Sequence, residues 1–124
     1  MNPAELFQRE TDTINLSSGD AVFREGESAD RMFVILEGSV DIVIGGKVVE
    51  TAEAGSLIGE MAMIDDSARS ASAIVKTPCR LVAIDQRRFH FLIQQTPFFA
   101  THVMKVLARR LRNMDRLLFA QKAP

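Results

Sequence analysis

The sequence predicts an α+β domain: an antiparallel β-roll of jelly-roll type (a double-stranded β-helix), with a short N-terminal helix and two C-terminal helices. Three observations predict it. Between residues 13 and 85, short runs rich in Val, Ile, Phe and Thr alternate with turn residues. After Asp85 the apolar spacing becomes helical. One short helix-prone segment, Gly59-Glu60-Met61-Ala62-Met63-Ile64, interrupts the strand pattern. The 124 residues suffice for one core and too few for two, so we read one domain over 1–124, with the roll at about 13–85 and the C-terminal helices at about 86–121.

In chain order, Asn2 can cap a short helix whose first turn holds Pro3 and whose positive end favours Glu5. Strands are predicted near Thr13–Leu16, Ala21–Arg24, Met32–Leu36, Ser39–Ile44, Lys47–Thr51, Ser72–Val75 and Arg80–Ile84. Glu37-Gly38 and Thr77-Pro78 are among the breaks, and Gly45-Gly46 is a hairpin signal. Many short strands at this spacing imply a roll, not a parallel sheet. Asp85 can cap a helix over Gln86–Gln95, and Pro97 opens a longer one. On that helix Val103, Leu107, Leu111, Met114 and Leu118 share a face that should be buried against the roll, a second copy, or both. Phe23, Phe33, Met61 and Met63 are expected in the core.

Composition is that of an ordinary globular protein, 47% hydrophobic and 25% charged with a net charge of −1. No apolar run approaches the roughly 20 residues of a membrane helix. The first residues lack the regions of a signal peptide. The single cysteine, Cys79, cannot form an internal disulfide and fits a small buried hydrophobe. A cytoplasmic protein with no membrane association is expected. Residues 101–124 carry six basic side chains, Arg110 among them, against Asp115 alone. Such charges usually form the solvated face of a packed helix, so nucleic acid is not the expected partner. His90 and His102 have no clustered partner, so no metal site is expected. Ser17-Ser18 reads as a turn. No acid–base couple or nucleophile arrangement is evident, so no catalytic residue is assigned and the chain is not expected to be an enzyme.

The segment around residue 59 carries the chemistry. A glycine opening a short helix leaves backbone N–H groups pointing where an anion can sit, and lets a ligand approach closely. Arg69 offers a planar fork of donors suited to phosphate, and Ser70 adds a hydroxyl. Glu60 would repel a phosphate but could accept from a sugar hydroxyl. An ion pair between Glu60 and Arg69 on a loop is the plainer alternative.

Gly59-Glu60-Met61-Ala62-Met63-Ile64, with Arg69-Ser70-Ala71-Ser72 downstream, resembles the phosphate-binding cassette of cyclic-nucleotide-binding domains, the family of catabolite activator protein, protein kinase A regulatory subunits and cyclic-nucleotide-gated channels. Gly19-Asp20, Gly26-Glu27, Asp30, Phe33-Val34 and Gly38 resemble the family's glycine-spaced roll signature, so the likeness runs from about 12 to 118. It implies that the backbone of Gly59, Glu60, Met61 and Ala62 holds a cyclic phosphate. It also implies that Glu60 binds the ribose 2′-hydroxyl, Arg69 pairs with the phosphate and Ser70 adds a hydrogen bond. Met63 would be an apolar hinge residue on the moving C-terminal helices, and Gly19, Gly26 and Gly38 structural glycines. Ile58 and Ala68 stand where many members have Phe and Pro, and no aromatic lid over the base is evident in the last helix. The expected function is a stand-alone sensor of a cyclic nucleotide, cAMP first and cGMP second. It would use no cofactor and would signal by movement of the C-terminal helix to a downstream protein or a second copy. The alternative is a roll that has lost its ligand and serves as a protein–protein interaction module.

Overall fold

Two long antiparallel strands dominate the computed structural model, which describes residues 2–122. They are β3 (Arg31–Ile44) and β6 (Ser72–Asp85), paired along their lengths from Arg31↔Asp85 to Val43↔Ser72. Each carries two shorter strands on its outer edge. On β6 these are β1 (Ile14–Leu16) and β2 (Ala21–Phe23); on β3 they are β4 (Lys47–Glu53) and β5 (Leu57–Ile58). The result is a six-stranded antiparallel sheet, not closed, in the form of the expected roll. A 3-10 helix, Pro3–Phe7, precedes it, with Asn2 Oδ1 accepting from the Ala4 amide as its cap. Two helices follow, α1 (Gln86–Gln95) and α2 (Pro97–Lys122). The Asp85 carboxylate caps α1 by accepting from the Arg88 amide.

Two expected breaks do not end strands. Met32–Leu36 and Ser39–Ile44 belong to one strand, as do Ser72–Val75 and Arg80–Ile84. The physical reason is that the two breaks face each other. The β3·β6 register shifts repeatedly between Ile35 and Val40, opposite Thr77-Pro78-Cys79. Both strands therefore bulge at one place and bend there without separating. Gly38 has φ 88° and sits so close to Pro78 that a Cβ would lie 2.2 Å from its carbonyl oxygen. The two-residue β5 was not anticipated, since so short a strand has no period of its own.

Strand alternation divides the core. Met32 and Val34 face the helices, together with Leu57, Val82, Ile84, Phe89, Phe99, Val103 and Val106. Phe33 and Ile35 face the inside of the roll with Phe23, Val40, Ile58, Ala73, Val75 and Leu81. Residues 32–35 thus form a continuous apolar run because both faces of that strand segment are covered. Cys79 is buried within the roll; burial pushes its thiol pKa up, and its Sγ lies 3.3 Å from the Ser39 carbonyl oxygen.

The buried face of α2 is rotated from the expected one. Phe99, Val103 and Val106 are buried, and Leu107 is half-buried. Leu111, Met114 and Leu118 are exposed, because α2 runs on past the roll and none of the described residues covers them. Arg109, Arg112 and Arg116 face solvent, as expected of the helix's polar side. No described helix is long and apolar enough to cross a membrane.

Gly38→Ala should destabilise the domain by about 2–4 kcal/mol, through left-handed strain plus the collision with Pro78. Urea denaturation at equilibrium measures this, and an unchanged midpoint would mean the two bulges do not interlock.

Candidate ligand site

Arg69 is the centre of the site. Its backbone is pinned on both sides, the amide donating to Glu27 O at 2.8 Å and the carbonyl accepting from Gly26 N at 2.8 Å. Its side chain is 9% exposed. Nη1 donates to the Gly59 carbonyl at 3.2 Å and Nη2 to the Arg31 carbonyl at 2.6 Å. The guanidinium carbon lies 4.1 Å from the centre of the Phe23 ring. Nε is buried with no hydrogen-bond partner. Among the described residues no carboxylate forms an ion pair with Arg69. Burial pushes its pKa below the ordinary arginine value; the charge of Asp30 opposes this, Arg31 adds to it, and Glu27 and Glu60 oppose it more weakly. A buried cation so placed costs several kcal/mol unless an anion joins it.

Gly59 makes this placement possible. It has φ 72°, and a Cβ there would lie 2.6 Å from Arg69 Nη1 and 3.1 Å from the Phe23 ring. It caps the short 3-10 helix Glu60–Met63. The Ala62 amide donates to Gly59 O at 3.3 Å, so it is already engaged. The first turn of such a helix leaves the amides of Glu60 and Met61 without intrahelical acceptors.

Glu60 is 3% exposed and does not pair with Arg69. It pairs with Arg110 of α2, whose Nη1 donates to Glu60 Oε1. The other edge of that guanidinium grips Glu50 of β4. Nε lies 3.1 Å and 3.3 Å from the two Glu50 oxygens, and Nη2 lies 3.0 Å from Oε2. Nη2 also donates to Leu57 O at 2.7 Å. Burial lowers the Arg110 pKa, but the hydrogen bonds and charges of Glu50 and Glu60 outweigh it, and the net shift is upward.

Gly59, Glu60, Met61, Ala62, Arg69 and Ser70 all line one cavity, completed by Phe23, Ala29, Ile42, Ser67, Ala68, Ala71 and Arg110. Seven of these thirteen lining residues are Ala, Phe, Ile or Met, and two, Arg69 and Arg110, are cationic, so the cavity is largely apolar with positive charge in its wall. Ser70 Oγ donates weakly to Met61 Sδ at 3.9 Å. Met63 is buried beside Phe99, Val103 and Val106, which places it between cassette and helices.

Three expectations change. Met61 is 48% exposed at the cavity rim and is not a core residue, because the 3-10 turn points it away from Met63. Phe23 is buried but also lines the cavity, where its face carries Arg69. Arg110 does not join the solvated face of α2; it turns inward because it continues the buried row Phe99, Val103, Val106 at helical spacing. A cation in register with that row was the available signal. Among the described residues no group of three or more His, Cys, Asp or Glu is placed to hold a metal.

Comparison with known proteins agrees with this geometry. A family model described as "cyclic nucleotide-binding domain" matches residues 13–96. The Pycsar effector protein XpPycTIR of Xanthomonas perforans is 31% identical over 106 residues, 85% of this chain and 35% of that protein. The CRP-like cAMP-activated global transcriptional regulator of Mycobacterium tuberculosis is 30% identical over 112 residues, 85% of this chain and 49% of that protein. The crystal structure of Thermus thermophilus catabolite activator protein superposes with a TM-score of 0.78 at 27% identity, covering 94% of this chain and 57% of that one. The chain thus spans half or less of the length of these two curated relatives. With its roll, its cassette turn and its match over residues 13–96, the chain belongs to the cyclic nucleotide-binding domain family.

Proposed function

We propose that the chain is a sensor that binds a 3′,5′-cyclic nucleotide, cAMP first, and reports it through α2. One observation carries this reading: the buried Arg69 guanidinium, without a carboxylate partner, at the wall of an apolar cavity. A cyclic phosphate supplies the missing anion. Glu60 and Met61 line the same cavity, where their unengaged amides would be available to the phosphate, and the apolar lining suits a base. Glu60 then accepts from the ribose 2′-hydroxyl, and Ser70 donates to the phosphate. The name of the M. tuberculosis relative, a cAMP-activated regulator, favours cAMP as the first ligand to test.

The reading is of a binding protein and not a catalyst. Glu60, the one carboxylate lining the cavity, is engaged by Arg110 and is poorly placed to act as a free base. α2 is the reporting element, since Arg110 joins it to the cassette residue Glu60. It is also the surface for a second copy. Met104, Leu107, Leu111, Met114 and Leu118 follow one another at spacings of three and four, the repeat of a two-helix seam, and Leu111 is 64% exposed.

Binding is tested by thermal melting and calorimetry with cAMP, cGMP and cyclic di-GMP. Saturating cAMP should raise the melting temperature by mass action. Arg69→Ala should cost about 2–5 kcal/mol of binding, and Arg69→Lys should recover part of it. No response to any of the three ligands would leave the roll as an interaction module without a ligand.

Cyclic nucleotide incubated with the protein should be recovered intact by chromatography. Nucleoside 5′-monophosphate above a heat-killed control would make the chain an enzyme.

Sedimentation should show a mass of two copies, and Leu111→Glu with Leu118→Glu should return it to one copy with the roll still folded. A single-copy mass in wild type at all concentrations would assign the exposed seam to a different protein.

A further inference from the structure

The Arg110 guanidinium has two useful edges, and Glu50 holds one of them. Nε and Nη2 form a fork on the Glu50 carboxylate, at 3.0–3.3 Å. Nη2 is held further by Leu57 O at 2.7 Å. Only Nη1 is left for Glu60, and it meets Oε1. Among the described residues this is the one hydrogen bond to the Glu60 carboxylate, so Oε2 has no donor while the residue lines the cavity. An arginine free to choose forms two parallel bonds with a carboxylate, occupying both of its oxygens. Arg110 is denied that arrangement with Glu60 because Glu50 already has it. Glu50 itself is absent from the cavity wall.

We infer that Glu50 is a positioning residue for the ligand's sugar: by engaging the Nε–Nη2 edge of Arg110, it leaves one oxygen of Glu60 free to accept from a ribose 2′-hydroxyl. This rests on the cyclic-nucleotide reading given above. Without Glu50, the guanidinium turns on its flexible stem and closes on both oxygens of Glu60. The phosphate contact at Arg69 is untouched by that rearrangement. Loss of Glu50 therefore removes discrimination between ribose and 2′-deoxyribose, and does not remove binding as such.

The test is calorimetric titration of the full chain with cAMP and with 2′-deoxy-cAMP. Wild type should bind cAMP roughly tenfold or more tightly than the deoxy analogue, as expected of a hydrogen bond to a charged acceptor. In Glu50→Ala that ratio should fall to within about threefold of unity, with affinity for 2′-deoxy-cAMP unchanged within the same margin. Glu50→Gln keeps the length of the side chain and one acceptor for Arg110, so it should give an intermediate ratio and serves if the alanine variant does not fold. A wild-type ratio that survives in both variants overturns the inference, as does an equal loss of both ligands, which would make Glu50 a brace for the cavity. Wild type that binds both ligands equally overturns it too, while leaving the cyclic-nucleotide reading standing. Wild type that binds neither ligand sinks the two together.

Discussion

A guanidinium taken out of water loses several kcal/mol of hydration, and a neighbouring carboxylate normally recovers part of it. Among the described residues no carboxylate forms an ion pair with Arg69, although Asp30, Glu27 and Glu60 act on it at longer range. Arg69 has the face of Phe23, the carbonyls of Gly59 and Arg31, and an Nε with nothing to donate to. These supports come from separate places. Phe23 ends β2, Arg31 begins β3, and Gly59 sits at the turn after β5. Gly26 and Glu27 clamp the Arg69 backbone from the loop between β2 and β3. Much of the roll's first half and the whole cassette turn therefore converge on one cation that none of them neutralises. Partial compensation from carbonyls and a ring keeps the side chain in place without supplying a counter-charge. On the proposed reading an anion is the missing component, and the cavity that Arg69 lines is where it would sit.

The central strands explain how that arrangement stays rigid. Residues 32–35 of β3 and 81–84 of β6 are covered on both faces, so their alternation feeds two cores at once. Phe33 packs inside the roll with Phe23, the ring under Arg69, at 6.1 Å between centroids. Its neighbours Met32 and Val34 pack against the helices. The cassette turn uses the same economy in four residues. Glu60 lines the cavity, Met61 stands at its rim, and Met63 enters the helix-side core. A shift of the turn by a fraction of an ångström is consequently felt on both sides, since close-packed cores do not deform smoothly.

Much of this was legible in the sequence, and what was not has identifiable causes. The strand runs, the Gly45-Gly46 hairpin, the Asn2 and Asp85 caps and the helix boundary at Thr96-Pro97 are local signals, and the structure follows them. Gly38 and Pro78 were read as strand ends because a break in one strand cannot reveal that the break in another lies opposite it. Arg69 and Gly59 were legible as an anion site from residue chemistry and spacing. That Gly59 must lack a Cβ to admit the Arg69 side chain was not, because the clash is between residues ten apart in sequence. The charge partner of Glu60 lies fifty residues away on α2. Arg110 resembled its exposed neighbours Arg109 and Arg112 in every local respect, and differed only by the helix face that burial selected.

That face gives α2 two distinct attachments. Phe99, Val103 and Val106 hold it by apolar contact, which is non-directional and tolerates small rotations. Arg110 holds it by ion pairs to Glu50 and Glu60, which are directional. The exposed residues of the 3,4 seam beyond it begin with the very next residue, Leu111. A helix of this kind is stiff over a few turns, so on the proposed reading a change in how Arg110 meets Glu60 would be passed to the seam as a change of its angle. If a ligand at Glu60 favours one setting of Arg110, a second copy that favours the same setting must raise ligand affinity by the factor by which the ligand strengthens pairing, because the two couplings are one free energy. About 1.4 kcal/mol of difference between the two settings suffices for a tenfold effect in each direction. On the proposed reading any such coupling would run through Glu60, where the helix, strand β4 and the cavity share a single guanidinium.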